Sequence, residues 1–493
     1  MTQQPSHLNR QLGLLGLAAT GICSMIGASI YVVPFMIQRN VPGIGPYVLP
    51  AFLFAAIPAI FAALAYSILA SAMPRAGGSY LYASRAIHPY WGFVASFSQW
   101  FGLSIVIGVI SYVVVPFFRD VAVALEWTAL ADWLSHSLVR VVLSVGLLWL
   151  FAGINMLGVK SYERTLIPLM VLMFALGAVV IFAGLSFTTE DFSNALMEKE
   201  GRQLELFTAE FNWTTFFSAA AILFSSFIGF DSIAQAGGEA KNPTKNLPKA
   251  IGLAILTVGL FYFTFTFAVY HAVPWQFVAL ESQIKDITAA GLLSYLLPTG
   301  LGVVILLGAA IALLNDLPAM ILSVSRLVFS WAEDGIFPKA LATIHPKRHA
   351  PYRAILLSTL VSTVGILGSH FAGDFFLGID IMVTSMLVNF LLMCLSVAFL
   401  PKRNPALASE IKIFKHPFSQ LIIALVGTLF LSAFLLIHVS KDLSAEVSAW
   451  YFHSTWVWLI VMGLASLLFY FRWKKLQKSD PNLKNRFSKL PQD

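Results

Sequence analysis

The sequence predicts an all-α polytopic membrane protein with about twelve transmembrane helices. The 493 residues are 58% hydrophobic and only 11% charged, whereas a soluble chain needs roughly 25% charged residues to cover its surface. Apolar runs of about 20 residues, long enough to span a bilayer as a helix, recur from one end of the chain to the other. Open strand edges have no hydrogen-bond partners in lipid, so helices are the expected elements.

The apolar windows define the helices in order. The first begins near Leu12 and is predicted to be a membrane helix, because it is too long for a signal peptide and has no small-residue cleavage pattern. The eighth is longer than one span, which predicts that it includes a short flanking helix. The predicted spans lie near residues 13–37, 47–72, 91–118, 138–157, 163–186, 213–237, 249–272, 289–331, 353–370, 375–400, 420–439 and 451–472.

These helices form two successive sets of five, arranged as an inverted repeat (5+5), followed by two further helices. The first helix runs outward and the sixth runs inward, because five crossings separate their starting points. The predicted boundaries are 1–12 for a cytoplasmic N-terminal segment, 13–187 for the first five-helix repeat, 188–212 for an extracytoplasmic loop, 213–400 for the second five-helix repeat, 401–473 for helices 11 and 12, and 474–493 for a basic cytoplasmic tail.

The charge distribution predicts the orientation. Segments after even-numbered helices, such as 74–88 and 239–250, are basic, whereas the acidic segment 188–210, which has room for a short surface helix, follows an odd-numbered one. By the positive-inside rule, both termini lie in the cytoplasm and the chain is a multi-pass protein of the cytoplasmic (inner) membrane. The net charge of +7 therefore requires no nucleic acid partner.

Two helices carry matched interruptions near mid-membrane. The first contains MIGASIYVVP at 25–34, and the sixth contains SSFIGFDS at 225–232. Glycine disfavours a helix by about 1 kcal/mol relative to alanine, so each glycine marks the weakest point of its helix. One isolated glycine is more often a packing residue. Two in corresponding positions of inverted halves are the best sequence indication of a transporter's substrate site.

A helix broken at mid-membrane exposes backbone N–H groups on one side and carbonyl groups on the other, and a zwitterion needs both. We expect a substrate carboxylate at the N–H groups of 27–29 and an ammonium at the carbonyl groups of 226–229. Phe227 is also predicted to be a gate that closes over the substrate; a core-facing or lipid-facing ring is the alternative. The predicted substrate-binding residues are Ile26, Gly27, Ala28, Ser29, Ser226, Phe227, Gly229 and Asp231.

Acidic residues inside the predicted spans are candidates for coupling. Asp231 follows Gly229 by two residues and is predicted either to face the cavity and change protonation during transport or to cap the broken helix. Asp316 and Asn315, close to Pro318, offer oxygen atoms for a proton or cation site near the first break.

Four further residues of the later spans bear on the choice of coupling ion or lie near it. Ala319 and Met320, one turn on from Asp316, cannot ligate sodium, so proton coupling or exchange is favoured over sodium. Asp380 is expected to line an access route or to pack. Arg326, at the cytoplasmic end of the eighth helix, is expected to snorkel toward water.

Four blocks of the sequence resemble the amino acid–polyamine–organocation (APC) superfamily of secondary transporters, which share the leucine-transporter fold. GASIY (27–31) resembles the family's unwound first-helix signature, and PRAGGSYLYASRAI (74–87) its connection between helices 2 and 3. FIGFDSIAQAGGEAKNPTKNLPKAI (227–251) is similar to the sixth helix and its exit, and SRLVFSWAEDGIFP (325–338) to the end of the eighth helix.

This resemblance implies amino acid transport by alternating access. It assigns the substrate carboxylate to 27–29 and the substrate amine to 227–229. The chain departs from the family pattern at Ser29, where a glycine is usual, at Ser225, where arginine/agmatine antiporters have tryptophan, and at Met173, where some proton-coupled members have lysine. Without that tryptophan there is no aromatic plate for a cationic side chain, so a neutral or apolar substrate is favoured.

Other classes of function are weighed against this interpretation. No metalloprotease, P-loop or nucleophile-elbow motif occurs, so neither an enzyme nor a metal or other cofactor is predicted. A polyamine or other organic amine antiporter, a channel and a non-transporting amino acid receptor remain as alternatives. The predicted partners are an amino acid or amine, a proton or counter-substrate, membrane lipid and a second copy of the chain, with helices 11 and 12 as a candidate dimer surface.

Overall fold

The computed structural model describes residues 8–27, 29–372 and 375–491. Across these ranges the chain is helical, and twelve helices are long and apolar enough to cross a membrane, which confirms the predicted all-α class. We number them α1 to α12 in chain order. Their bounds are Leu14–Asn40, Gly45–Ala72, Pro89–Ala124, Ser137–Met156, Val159–Ser186, Trp213–Gln235, Pro243–Ala272, Gly300–Glu333, Tyr352–Phe371, Leu377–Arg403, Pro417–Ser444 and Ser454–Ser479.

Both predicted interruptions are present. The first helix is divided into α1a (Leu14–Met25) and α1b (Ser29–Asn40). The sixth is divided into α6a (Trp213–Leu223), which continues as a tighter turn to Phe227, and α6b (Ser232–Gln235). The backbone between the two parts of α6 is extended at Ile228, with φ −79° and ψ 130°.

The two breaks lie directly against each other. A Cβ atom on Gly229 would overlap the carbonyl oxygen of Ser24, and Gly229 has φ +135°, which side-chain-bearing residues rarely adopt. Ser24 and Ser232 join the two helices through their hydroxyl groups at 2.9 Å. Glycine is therefore required at 229 both by the close approach of α1a and by the backbone conformation.

The twelve helices form two groups. In the first group, α6 and α7 each pack against both α1 and α2. In the other, α3 is central and packs against α8, α9 and α10. The α5 helix contacts both α7 and α8, and α11 packs against α10 and α2. The two broken helices therefore belong to one group and face α3, α8 and α10 of the other.

Short helices at the membrane ends agree with two predictions. The acidic segment forms Thr189–Glu200, and the residues before α8 form a separate helix, Ala289–Leu293. Thr188 and Asp191 form a reciprocal capping box at the start of the first of these. The Thr188 N–H donates to the Asp191 carboxylate at 2.7 Å, which holds the pKa of Asp191 below its usual range.

Both ends of the described chain pack on the same face of the molecule, which we call the terminal face. The N–H groups of Gln11 and Leu12 donate to the carbonyl oxygen of Glu239, at 2.8 and 2.9 Å. Near the other end, Asn404 donates to the carbonyl of Ser488 at 2.9 Å. The opposite face, where α1b ends and α8 begins, is called the outer face.

Candidate functional site

A cavity of about 680 Å³ begins at the two breaks and runs to the outer face. Its inner end is lined by Gly27, Ser29, Ser225 and Ile228, from the broken parts of α1 and α6. At its mouth lies Asp286, whose side chain is 82% exposed. The cavity is therefore open to solvent on the outer face and ends at mid-membrane.

Apolar side chains form the wall that faces the breaks. Val106 and Ile110 come from α3, Met320 from α8, and Met382 from α10. Each of these side chains is largely buried in the packed helices. A ligand held at the breaks would therefore present its remaining surface to hydrocarbon groups, with methionine side chains that adapt readily to different shapes.

Tyr262 of α7 connects the two sides of the break in α1. Its hydroxyl group donates to the carbonyl oxygen of Met25 at 3.2 Å and lies 2.5 Å from the hydroxyl of Ser29. The carbonyl belongs to the end of α1a, and Ser29 is the first residue of α1b. Tyr262 was not identified from the sequence, because a single tyrosine in an apolar helix carries no local signal of its partners.

The predicted substrate residues divide into two sets. Gly27 and Ser29 line the cavity, whereas Ile26 and Ser226 are fully buried behind its surface. Gly229 is also buried and serves the contact between α1a and α6. Ala28 lies outside the described residues.

The broken helices also contribute lining residues that were not in the predicted substrate set. Ser24 and Met25 of α1a belong to this group.

Asp316 lines the cavity beside the break in α1. A Cβ atom on Gly27 would overlap its Oδ2 atom, so the carboxylate lies against the backbone just before α1b. Its Oδ1 atom is buried and has no hydrogen-bond partner among the described residues. The neighbouring Asn315 points away from the cavity, where its amide contacts the sulfur of Met173 at 3.6 Å. The two residues of the predicted coupling site are therefore directed to different places.

Asp231 is fully buried on the terminal side of the cavity and does not line it. Its Oδ2 atom accepts a hydrogen bond from the amide of Gln99 in α3. The same Gln99 accepts from Ser79 at 2.5 Å and from Gln235 at 3.2 Å. Asp231 receives no side-chain capping bond from the first turn of α6b. The carboxylate thus belongs to a buried polar network that crosses from α6b to α3.

The ring of Phe227 does not line the cavity. It packs against Phe52 of α2, with ring centroids 5.1 Å apart. Both rings border a separate groove of about 490 Å³ between α2 and α7, which also contains Leu53, Leu256 and Leu260 on its exposed rim. The ring is buried against α2 and has no contact with the cavity in this conformation, so the gate role of Phe227 stays a prediction.

Two buried ion pairs close the terminal face. Arg326 of α8 donates to both carboxylate oxygens of Glu239, at 2.5 and 3.0 Å, and Arg85 pairs with Asp334. The expectation that Arg326 snorkels toward water is wrong, because its side chain is only 1% exposed. Its stem has no path to solvent because the chain after α6 folds over it and supplies the partner carboxylate.

Asp380, the remaining acidic residue within a predicted span, lies beside a small cavity of about 100 Å³. Lys441 and His438 of α11 border the same cavity, and His438 lies 3.2 Å from the carbonyl oxygen of Asp380. Asp380 does not line the large cavity. Its position agrees with the packing alternative.

Residues 12–465, nearly the whole chain, match the amino acid permease family. The chain belongs to this family, within the APC superfamily. Because the family consists of transporters, the chain is a transporter of amino acids or related amines and not an enzyme. The twelve apolar helices are accordingly those of a multi-pass membrane protein.

Curated relatives of the permease cover most of its length. It is 28% identical over 376 residues to an uncharacterized transporter of Mycobacterium tuberculosis, covering 74% of this chain and 76% of the relative. It is 24% identical over 431 residues to the branched-chain amino acid permease BcaP of Bacillus subtilis, covering 83% and 85%. It is 26% identical over 345 residues to the low-affinity putrescine importer PlaP of Escherichia coli, covering 69% of each.

Proposed function

We propose that this permease moves amino acids with neutral, apolar side chains across the cytoplasmic membrane by alternating access. The observation that carries the proposal is the cavity that ends at two broken helices and is walled by apolar side chains. The substrate carboxylate binds the N–H groups at the start of α1b, beside Gly27 and Ser29. The substrate ammonium binds the carbonyl groups at the ends of α1a and α6a.

The polar ends of the broken helices support this orientation of the substrate. The α1b helix has twelve residues, and its start carries roughly half a positive charge together with unpaired N–H groups. The ends of α1a and α6a carry carbonyl groups and the opposite partial charge. A zwitterion fits between them because each of its charges meets the opposite end of a helix dipole.

The cavity wall supports an apolar substrate side chain. Met320, Met382 and Ile110 offer dispersion contacts and no charge. Ser225 replaces the tryptophan that a cationic side chain would stack on. The Bacillus relative is named for branched-chain amino acids, which agrees with this wall. The name of the Escherichia relative specifies putrescine, so a diamine is the principal alternative.

The shape of the cavity supports the proposed transport cycle. With the termini in the cytoplasm, the cavity opens away from the cytoplasm and the two buried ion pairs close the cytoplasmic end. In the cycle, α1, α2, α6 and α7 rock against α3, α8, α9 and α10. Coupling is to a proton or to exchange, with Asp231, Asp316 and Asn315 as the candidate groups, and not to sodium.

The direct test is a proteoliposome screen of radiolabelled leucine, valine, arginine and putrescine, with and without a proton gradient and with sodium replaced by potassium. We expect saturable uptake and counterflow of leucine and valine that do not depend on sodium. Uptake restricted to putrescine or arginine would support the amine alternative. Thermal stabilisation by amino acids without any flux would support a receptor.

The specificity of the wall is tested by Met382→Ala, with Met386→Ala as its control. Met386 lies one turn further along α10, is fully buried and does not line the cavity. Because a methylene contact in an apolar pocket is worth about 1–3 kcal/mol, Met382→Ala should weaken leucine binding about tenfold and alanine binding less. An equal loss for both substrates, or the same loss in Met386→Ala, would show that Met382 does not contact the side chain.

A further inference from the structure

Asp316 is a buried carboxylate at the inner end of the cavity. It is only 3% exposed, and its Oδ1 atom has no hydrogen-bond partner among the described residues. Buried carboxylates are normally paired with a cation, hydrogen-bonded or protonated. A carboxylate at the inner end of a solvent-open cavity can be stabilised by water, by a proton or by a ligand.

The position of this carboxylate coincides with the place proposed for the substrate carboxylate. Its Oδ2 atom occupies the space that a Cβ atom on Gly27 would fill, directly before the start of α1b. The N–H groups of the first turn and the positive end of the α1b dipole are located there. The chain therefore carries its own carboxylate at the anion-binding end of the broken helix.

Within the described ranges, no ion pair brings a second positive charge to Asp316. Two titratable side chains nearby, Cys23 of α1a and Tyr262 of α7, carry no positive charge. Asn315 lies on its own helix, and the nearby α5 side chain that Asn315 contacts is Met173. The arginines that line the cavity lie at its mouth; Arg39 is ten residues from Ser29, or about 15 Å along α1b.

We propose that Asp316 and the substrate carboxylate exclude each other, so that an amino acid binds only when Asp316 carries a proton. This inference rests on the proposed function. The start of one helix offers about half a positive charge, which stabilises one carboxylate and not two adjacent ones. Each zwitterionic substrate therefore enters with one proton taken from the outer solution, and both leave together on the other side. When Asp316 is ionised, its own carboxylate occupies the anion position.

The proposal predicts opposite pH responses for two ligands with the same side chain. Isobutylamine is valine without its carboxylate. Valine stays a zwitterion and isobutylamine stays a cation between pH 5 and pH 8, so neither ligand changes its own charge in this range. Valine competes with ionised Asp316, so its affinity should fall by up to about tenfold for each pH unit above the pKa of that carboxyl. Isobutylamine should bind more tightly as the pH rises, because ionised Asp316 attracts its ammonium.

The experiment measures the binding of both ligands to the purified full-length permease from pH 5 to pH 8. In Asp316→Asn the opposite responses should disappear, since an amide cannot ionise. The control is Asp380→Asn, which changes another carboxylate within a membrane helix that does not line the large cavity; the ratio of valine to isobutylamine affinity should still rise as the pH falls.

Each outcome bears on the proposal. Valine binding that is independent of pH in the wild type would overturn it, and this measurement does not require any variant to fold. Loss of valine binding at every pH in a folded Asp316→Asn protein would also overturn it, because Asp316 would then hold the substrate ammonium. If the proteoliposomes take up no amino acid at all, the proposed function fails. The uptake assay therefore tests the proposed function, and the pH dependence of binding tests the role of Asp316.

Discussion

An ion pair on the terminal face of this permease is buried, whereas an ion pair on the outer face is exposed to solvent. On the terminal side, Arg326 and Glu239 are 1% and 2% exposed, and they bond through both carboxylate oxygens. At the mouth of the cavity, the pair Arg39 and Asp286 is 32% and 82% exposed. The terminal face is closed around a buried ion pair that has no access to solvent. The outer face is open around an ion pair that solvent can reach.

This difference indicates that the buried ion pair contributes most to keeping the terminal face closed. Separating a buried ion pair leaves each charge without its partner in a medium of low polarity, whereas an exposed pair exchanges its partner for water. A transporter that opens its terminal face must therefore hydrate Arg326 and Glu239 as they separate. The exposed pair of Arg39 and Asp286 on the outer face is already in contact with solvent and needs no such hydration.

The largest expected effect comes from breaking the buried pair. Arg326→Gln leaves Glu239 as a buried charge without its ion-pair partner and should lower the free energy of unfolding by about 3–5 kcal/mol. Arg39→Gln, the matched change on the outer face, should cost about 0–1 kcal/mol. Thermal unfolding of both variants measures the comparison. Equal losses would show that burial of the pair does not distinguish the two faces.

Gly229→Ala tests the contact between the two broken helices, where the cavity ends. A side chain at φ +135° costs of order 1–3 kcal/mol, and its Cβ atom also overlaps the backbone of Ser24. We expect lower stability and loss of substrate binding, measured by thermal unfolding with and without leucine. The control is Gly252→Ala in α7, where a Cβ atom meets nothing within 4 Å, and which should gain about 0.5–1 kcal/mol.

A smaller effect separates the two interpretations of Phe227. Phe227→Leu removes the ring pair with Phe52, which is worth about 0.5–1.5 kcal/mol. Because the ring borders the groove between α2 and α7, we expect a lower melting temperature with an unchanged Michaelis constant for leucine. A raised Michaelis constant together with increased leak, at unchanged stability, would support the gate role.

The smallest effect concerns the surface helix of the outer face. Asp191 has a lowered pKa because Thr188 donates to it, so the cap is present above the unfolded-state pKa of about 3.9 and is lost as the pH falls through the folded-state pKa. Asp191→Asn should speed amide hydrogen exchange slightly at residues 189–192 near pH 6. Once the pH is below the folded-state pKa of Asp191, the variant and the wild type should be alike; a difference that persists there would exclude the ionised cap.

Local features of this protein were predictable from sequence. The breaks were found because glycine and polar residues inside an apolar run weaken a helix at an identifiable residue. The separate helix Ala289–Leu293 was found because the apolar run is too long for one span. In both cases the signal lies within one segment of the chain.

Contacts between distant segments were not predictable in the same way. Arg326 and Glu239 are 87 residues apart, and nothing near Arg326 indicates that the exit of α6 covers it. The two sides of the α1 break are joined by Tyr262, which lies 233 residues from Ser29. Which residues of a break line the cavity also depends on how the helices rotate when they pack.

The sequence by itself determined the number of membrane helices, the two places where the backbone is broken and the presence of acidic residues in the spans. It did so because hydrocarbon thickness and helix propensity act along the chain. Only the tertiary structure decided that Asp316 reaches the start of α1b while Asp231 and Phe227 turn away from the cavity. Those directions depend on which neighbour excludes each side chain from the available space, and that is fixed only when the helices are packed together.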